Sequence, residues 1–302
     1  MGERDAGARF LAQGGRLMNP VSPIPLETMA LYVSELKAGA LHWRSLLSDP
    51  RFGALHRRQR WFTDRQKGMF FRLLSPPHRD AFLEVQAGSG IVSSCLSEDF
   101  KRGYAWERRP VCADFIELRF KSDSIDNLEV LRAAGSAIAL PGESLDLVAI
   151  NEPITMEHAT VAGVDAEEFA LAILREALRC LRRTGRLIMA VDNAWHYLKL
   201  SELISSRFSR ASTLEMRPRS GRGYLGLVNR VGFRKARLFT VKPSRHMPID
   251  IYSHHRVSLD QLYWKYGSQS RVSRTTKWLS DTTGVPYLAA HFQPSFYLVC
   301  EK

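Results

Sequence analysis

Glu84 and Glu107 each close a short run of apolar residues, and a turn containing Gly88 and Gly90 lies between them. The first run, from Ala81, continues into Gln86-Ala87-Gly88-Ser89-Gly90 and then into Ile91–Leu96, which is compatible with a helix. Glycine has no side chain, so a strand–turn–helix unit of this kind lets a nucleotide-like ligand come close to the backbone. The second run, Gly103-Tyr104-Ala105-Trp106-Glu107, puts a carboxylate a little over twenty residues past Glu84. At that spacing it is placed to accept hydrogen bonds from ribose hydroxyls. Other polar groups stand where later strands end: Asn151 and Glu152 after Leu147-Val148-Ala149-Ile150, and Asp192 after Arg186–Val191. Histidine is the usual proton acceptor near neutral pH. His196 follows the strand that ends at Asp192, and His254-His255 lies in a later basic segment. His196 is the first candidate for a general base and His255 the second.

These residues need elements to hold them. Gly135-Ser136-Ala137 through Asp146 is rich in turn residues and feeds the strand Leu147–Ile150. Phe169, Ile173, Leu174, Ala177, Leu178 and Leu181 recur at helical spacing, which predicts a helix over Ala166–Arg183 that stops at Thr184-Gly185. Strands then alternate with helices, the pattern of a mostly parallel sheet covered on both faces. Two further helices are predicted ahead of the sheet. One spans Leu26–Leu47, with Met29, Leu31, Tyr32, Leu36, Leu41 and Leu47 buried. The other spans Gln59–Leu74, with Trp61, Phe62, Met69, Phe70, Leu73 and Leu74 buried and Ser75-Pro76-Pro77 ending it.

Together the motifs resemble those of class I S-adenosylmethionine-dependent methyltransferases. The matching residues are Glu84, Gly88 and Gly90; Glu107; Gly135-Ser136-Ala137 with Leu140-Pro141 and Leu145-Asp146; and Glu176 with Arg179 to Gly185. Gly223–Phe233 resembles the late helix and Gly-Phe turn of that family, Ala236–Val241 its sixth strand, and Ser295–Cys300 its seventh. In texture the chain is similar to methyltransferases of bacterial surface-glycan and natural-product clusters. The resemblance implies an α/β, Rossmann-like sheet of seven strands, mostly parallel, with a final antiparallel strand. It also implies S-adenosylmethionine as cofactor, contacted by Glu84, Gln86, Ala87, Gly88, Gly90, Glu107, Ser136, Ala137, Asn151 and Glu152. Three positions depart from the family pattern. Gln86 stands for its first glycine, Ser136 for an aspartate that contacts the adenine amino group, and Thr184 for a glycine after the helix.

Composition narrows the function classes. The chain has 302 residues, 45% of them hydrophobic, enough for a sizeable core. The resulting division is an N-terminal extension with cap helices (1–75), a cofactor-binding core (76–243 and 294–302) and a basic, aromatic insertion on the substrate side (244–293). No apolar run is long enough to span a bilayer, and the polar N-terminus lacks the pattern of a signal peptide. The four cysteines are scattered, with no metal-ligand spacing, so no metal is expected, and the plain reading is a cytoplasmic protein. Lys and Arg number 43 against 31 Asp and Glu, a net charge of +12 that favours anionic partners. The expected activity is methyl transfer to an oxygen or nitrogen of a small molecule, glycan or peptide. The alternatives are a non-catalytic methyltransferase-like scaffold and a nucleic-acid methyltransferase.

Overall fold

The computed structural model describes residues 26–39, 42–52, 62–151, 165–194, 219–245, 247–267, 271–283 and 288–302. Among these, eight strands form one sheet in the order β3-β2-β1-β4-β5-β8-β6-β7. They are β1 (Ala81–Val85), β2 (Arg102–Glu107), β3 (Leu128–Arg132), β4 (Leu145–Ile150), β5 (Leu181–Asp192), β6 (Arg234–Ser244), β7 (Met247–Ser253) and β8 (Ser295–Glu301). The first five pair in parallel, whereas β8 runs antiparallel between β5 and β6. The seven expected strands are thus present. The eighth, β7, comes from the basic insertion and folds back on β6 as an antiparallel edge.

Burial follows from the sequence pattern. Every residue of β4 is buried, as a central parallel strand covered on both faces requires. Helices α6 (Ala166–Cys180) and α7 (Gly221–Val231) cover one face, with Phe169, Ile173, Leu174, Tyr224 and Val228 packed against Val148, Leu187 and Leu298. Helices α3 (Gln66–Leu74) and α4 (Ile91–Leu96) cover the other, with Phe71, Ile91 and Val92 against Phe82, Ala149 and Tyr297. Asp146 fastens the lower edge. Its Oδ2 accepts from the backbone N–H groups of Asp80 and Ala81, and its Oδ1 accepts from Arg182.

Several boundaries differ from the sequence reading. Helix α6 ends at Cys180, four residues before Thr184, because the backbone at Leu181 is already extended and pairs with Leu145. Gly185 then sits where a Cβ would meet the carbonyl oxygens of Arg182 and Leu145 at 3.0 Å, so the tight approach, not a helix end, calls for glycine. Helix α7 does end as expected, on Gly232 at φ 106°.

Near the N-terminus, helices α1 (Leu26–Lys37) and α2 (Trp43–Leu46) replace the single predicted helix. They pack on α5 (Pro110–Ser122) through Met29, Tyr32, Trp43, Leu47, Phe62 and Phe115. Leu31, Met69 and Leu73 are exposed, and in α3 the large apolar side chain that is fully buried is Phe71. Leu41 and Trp61 lie outside the described residues. Within the insertion, α8 (Arg256–Leu262) packs Leu259 and Leu262 with Tyr252 of β7, Tyr263 and Ala290. Helix α9 (Arg271–Thr283) follows it.

Candidate functional site

Parallel pairing brings the carboxyl ends of β2, β1 and β4 side by side. Val85 pairs with Trp106 on one side and Ile150 on the other, so Gln86, Glu107 and Asn151 emerge together. Outside the carboxyl ends of such strands lies the crevice where open α/β sheets hold their ligands. The turn after β1 is held from several directions. Gln86 takes φ 54°, a left-handed conformation that favours glycine, and it is 1% exposed. Ala87 N–H donates to the Trp106 carbonyl at 3.2 Å, and Gly90 N–H to the Ala87 carbonyl at 2.8 Å. Gly90 has φ 69°, and a Cβ there would lie 3.2 Å from Ile116 and 3.3 Å from Phe120.

The two carboxylates do different jobs. Glu84 is fully buried, and its Oε2 accepts from the N–H of Ser93 at 2.7 Å and from the Ser93 hydroxyl at 2.5 Å. It therefore anchors the first turn of α4, where a carboxylate complements exposed backbone N–H groups. Glu107 receives the glycine turn directly, since Gly88 N–H donates to its Oε2 at 2.9 Å. Its Oε1 accepts from the backbone N–H groups of Arg108 (3.0 Å) and Arg109 (2.9 Å) and from Arg109 Nε (3.1 Å). Arg109 Nη2 also reaches Oε2, at 3.4 Å. Burial pushes the Glu107 carboxyl up, but the Arg109 charge and these hydrogen bonds outweigh it and hold the group below its ordinary value.

The third loop lies beside this pair. Ala133 N–H donates to the Glu107 carbonyl at 3.1 Å, and a bend that ends at Ser136 leads to Ala137. Glu176 accepts from Ile138 N–H at 3.0 Å, while Arg179 donates to the carbonyls of Ile138 (2.8 Å) and Leu140 (3.0 Å). The Glu176–Arg179 motif thus ties this loop to α6. From behind, Arg119 of α5 donates to the Ser89 carbonyl at 2.7 Å and lies 4.5 Å over the Trp43 ring. Burial pushes the Arg119 guanidinium down to about 10. The N-terminal helices therefore pack on α5 and reach the glycine turn through one buried arginine. A cavity of about 410 Å³ opens there, lined by Arg44, Arg65, Ser94, Cys95 and Arg119. It lies behind α4, and neither Gln86, Gly88 nor Glu107 lines it.

Sequence reasoning missed Arg245. At 3% exposure, it forks onto Asp192 with Nε and Nη2 both at 2.9 Å, and its Nη1 donates to the Asn151 carbonyl at 2.8 Å. It thereby joins the ends of β4, β5 and β6. No local pattern marks it, since its partners lie 53 and 94 residues away. Among the histidines, His255 is exposed at the start of α8, past the end of edge strand β7. Five strand spacings separate β7 from β1, roughly 24 Å at 4.8 Å each, so the fold does not bring His255 to the glycine turn. Its neighbour His254 is half-buried against Thr240 (2.8 Å), His291 and Phe296, and that desolvation pushes it down to about 4. Lys242 shares the Thr240 face of β6 by strand alternation, and desolvation pushes it down to about 8. Glu152 and His196 lie outside the described residues.

No protein-family model matches the chain. No curated protein matches it either. Solved structures do. One is a S-adenosylmethionine-dependent methyltransferase, possible histamine N-methyltransferase, of Thermotoga maritima. It is 15% identical over 82% of this chain and 96% of that one, with a TM-score of 0.50. Another is a S-adenosylmethionine-dependent methyltransferase of Archaeoglobus fulgidus, 12% identical over 82% of this chain and 99% of that one, also at 0.50. At these identities the likeness is one of fold, that of the class I S-adenosylmethionine-dependent methyltransferases. No helix among the described residues is long and apolar enough to cross a membrane.

Proposed function

We propose that the chain binds S-adenosylmethionine at the carboxyl ends of β1, β2 and β4 and transfers its methyl group to an oxygen or nitrogen of a small molecule, glycan or peptide, of the kind built by bacterial surface-glycan and natural-product clusters. The observation that carries this reading is the junction of Gly88 with Glu107, a glycine turn hydrogen-bonded to the acid that ends the neighbouring strand. The residues fit the cofactor in kind. The turn has a left-handed glycine where a Cβ would be crowded, a strand-end carboxylate lies beside it, and Ser136 and Ala137 follow the adjacent strand. When bound, the cofactor supplies a methyl group on a positively charged sulfur. The chain's part is to position an acceptor in line with that group and keep water out. Gly88, Gly90 and Ala87 would let the ligand meet the backbone, Glu107 would accept from the ribose, and Asn151 and Glu152 would line the methyl end. His196 is the proposed proton acceptor.

Calorimetry with S-adenosylmethionine and S-adenosylhomocysteine tests the site, with Glu107→Ala as control. Micromolar binding that the variant loses is the expected result, and no heat from well-folded protein removes the reading. Once an acceptor is known, His196→Ala should lower turnover by about 100-fold without changing cofactor affinity. A second reading has an observation of its own. Glu107 is fully covered by the chain's own donors and Gln86 fills a glycine position, which favours a non-catalytic scaffold. The same titration separates the two.

A further inference from the structure

The Glu107 carboxylate is the group that a ribose diol would need, yet its side chain has no exposed surface. Five N–H donors converge on its two oxygens: those of Gly88, Arg108 and Arg109 from the backbone, and Nε and Nη2 from the Arg109 side chain. A carboxylate offers about four lone-pair sites. The backbone donors are fixed by the strand end and the turn, so they stay whenever the fold is intact. The two guanidinium donors are of another kind. The Arg109 side chain is 25% exposed, whereas the acid it holds is fully buried. Unlike the three backbone donors, it can leave Glu107 by rotating side-chain bonds alone.

From this we infer that Arg109 is a shutter on the cofactor site. Its guanidinium occupies the one Glu107 lone pair, on Oε2, that the three backbone donors leave for a ribose hydroxyl, and an adenosyl ligand must displace it before it can bind. The inference rests on the proposed cofactor site and adds a residue that sets its affinity. Displacement moves the guanidinium toward solvent, where water replaces the carboxylate, while one ribose hydroxyl replaces the guanidinium on Glu107 Oε2. The ion pair is lost in the exchange, and that loss weakens binding. A merely structural Arg109 would have the opposite signature: its removal would loosen the turn and weaken binding.

The test measures S-adenosylhomocysteine binding by calorimetry and stopped-flow fluorescence on the wild type, Arg109→Gln, Arg109→Lys and Glu107→Gln, with the melting temperature of each as a check on folding. The expected result is binding about tenfold tighter in Arg109→Gln, chiefly through a faster association rate, because the competing group is gone. Arg109→Lys, a cation without the planar fork, should fall between that variant and the wild type. Glu107→Gln should lose binding. If the wild type binds and Arg109→Gln binds equally or more weakly, the shutter is overturned while the cofactor site stands. If neither the wild type nor either Arg109 variant binds, the cofactor site itself is refuted and the shutter with it.

Discussion

At the scale of single residues, Gly90 and Glu107 carry most of the candidate site's geometry. Gly90 is at φ 69°, and any side chain there would press on Ile116 and Phe120. Gly90→Ala should therefore cost about 2 kcal/mol, as left-handed strain plus crowding, and lower the midpoint of urea unfolding accordingly. Glu84 looks equivalent to Glu107 in sequence, since each is an acid at the end of an apolar run. The structure separates them by what they accept: Ser93 donors for Glu84, the glycine turn and Arg109 for Glu107. Arg245 is the other residue with a large expected effect. Arg245→Ala leaves Asp192 in a partly buried setting without its fork, and the loss should be about 3 kcal/mol in a chemical denaturation experiment. Arg245→Lys should recover only part of it, because one ammonium cannot serve two carboxylate oxygens and the Asn151 carbonyl with the same geometry.

At the scale of elements, the pairing of β6 with β7 and β8 creates a desolvated histidine that no spacing rule indicates. His254 sits against Thr240, His291 and Phe296, and it titrates at about 4 in the folded chain, against about 6.5 for an exposed histidine. Burial moves His291 in the same direction. Between those two values the unfolded chain binds the proton that the folded chain refuses. Stability is therefore complete above about pH 6.5 and falls as pH drops toward 4. His254 should contribute at most about 3 kcal/mol to that fall. Urea unfolding measured at half-unit pH steps should show the decline, and His254→Gln should flatten it. A pH-independent stability between 6.5 and 4 in the wild type would contradict the desolvation of His254. The helix boundaries are less legible in the sequence than the strands. Leu181 fits the helical spacing of α6, but strand pairing with Leu145 takes it instead. Likewise Leu31, Met69 and Leu73 fit a helical period yet face outward, because apolar spacing does not say which side of a short helix meets a partner.

At the scale of the whole molecule, the net charge of +12 makes weak attraction to any polyanion the baseline. A short single-stranded RNA should bind detectably at low salt and lose that binding steeply toward 150 mM, the mark of phosphate contacts alone. Tight, sequence-dependent binding that survives 150 mM salt would instead favour a nucleic-acid substrate. The alternation of apolar strands and amphipathic helices already determines the doubly covered sheet. Its glycine turn and strand-end acids are local signals, written in consecutive residues and fixed by backbone conformation, so the residues at the carboxyl ends of β1 and β2 are legible in the sequence by itself. Only the tertiary structure decides what those residues touch. The capture of Glu107 by Arg109, the brace of Arg119 behind Ser89, and the fork of Arg245 across three strand ends all depend on side-chain direction or on contacts between distant segments. The distance of His255 from the turn depends on the order in which strands join the sheet. Sequence periodicity specifies which face of an element is buried, and it carries no information about which distant element will cover that face.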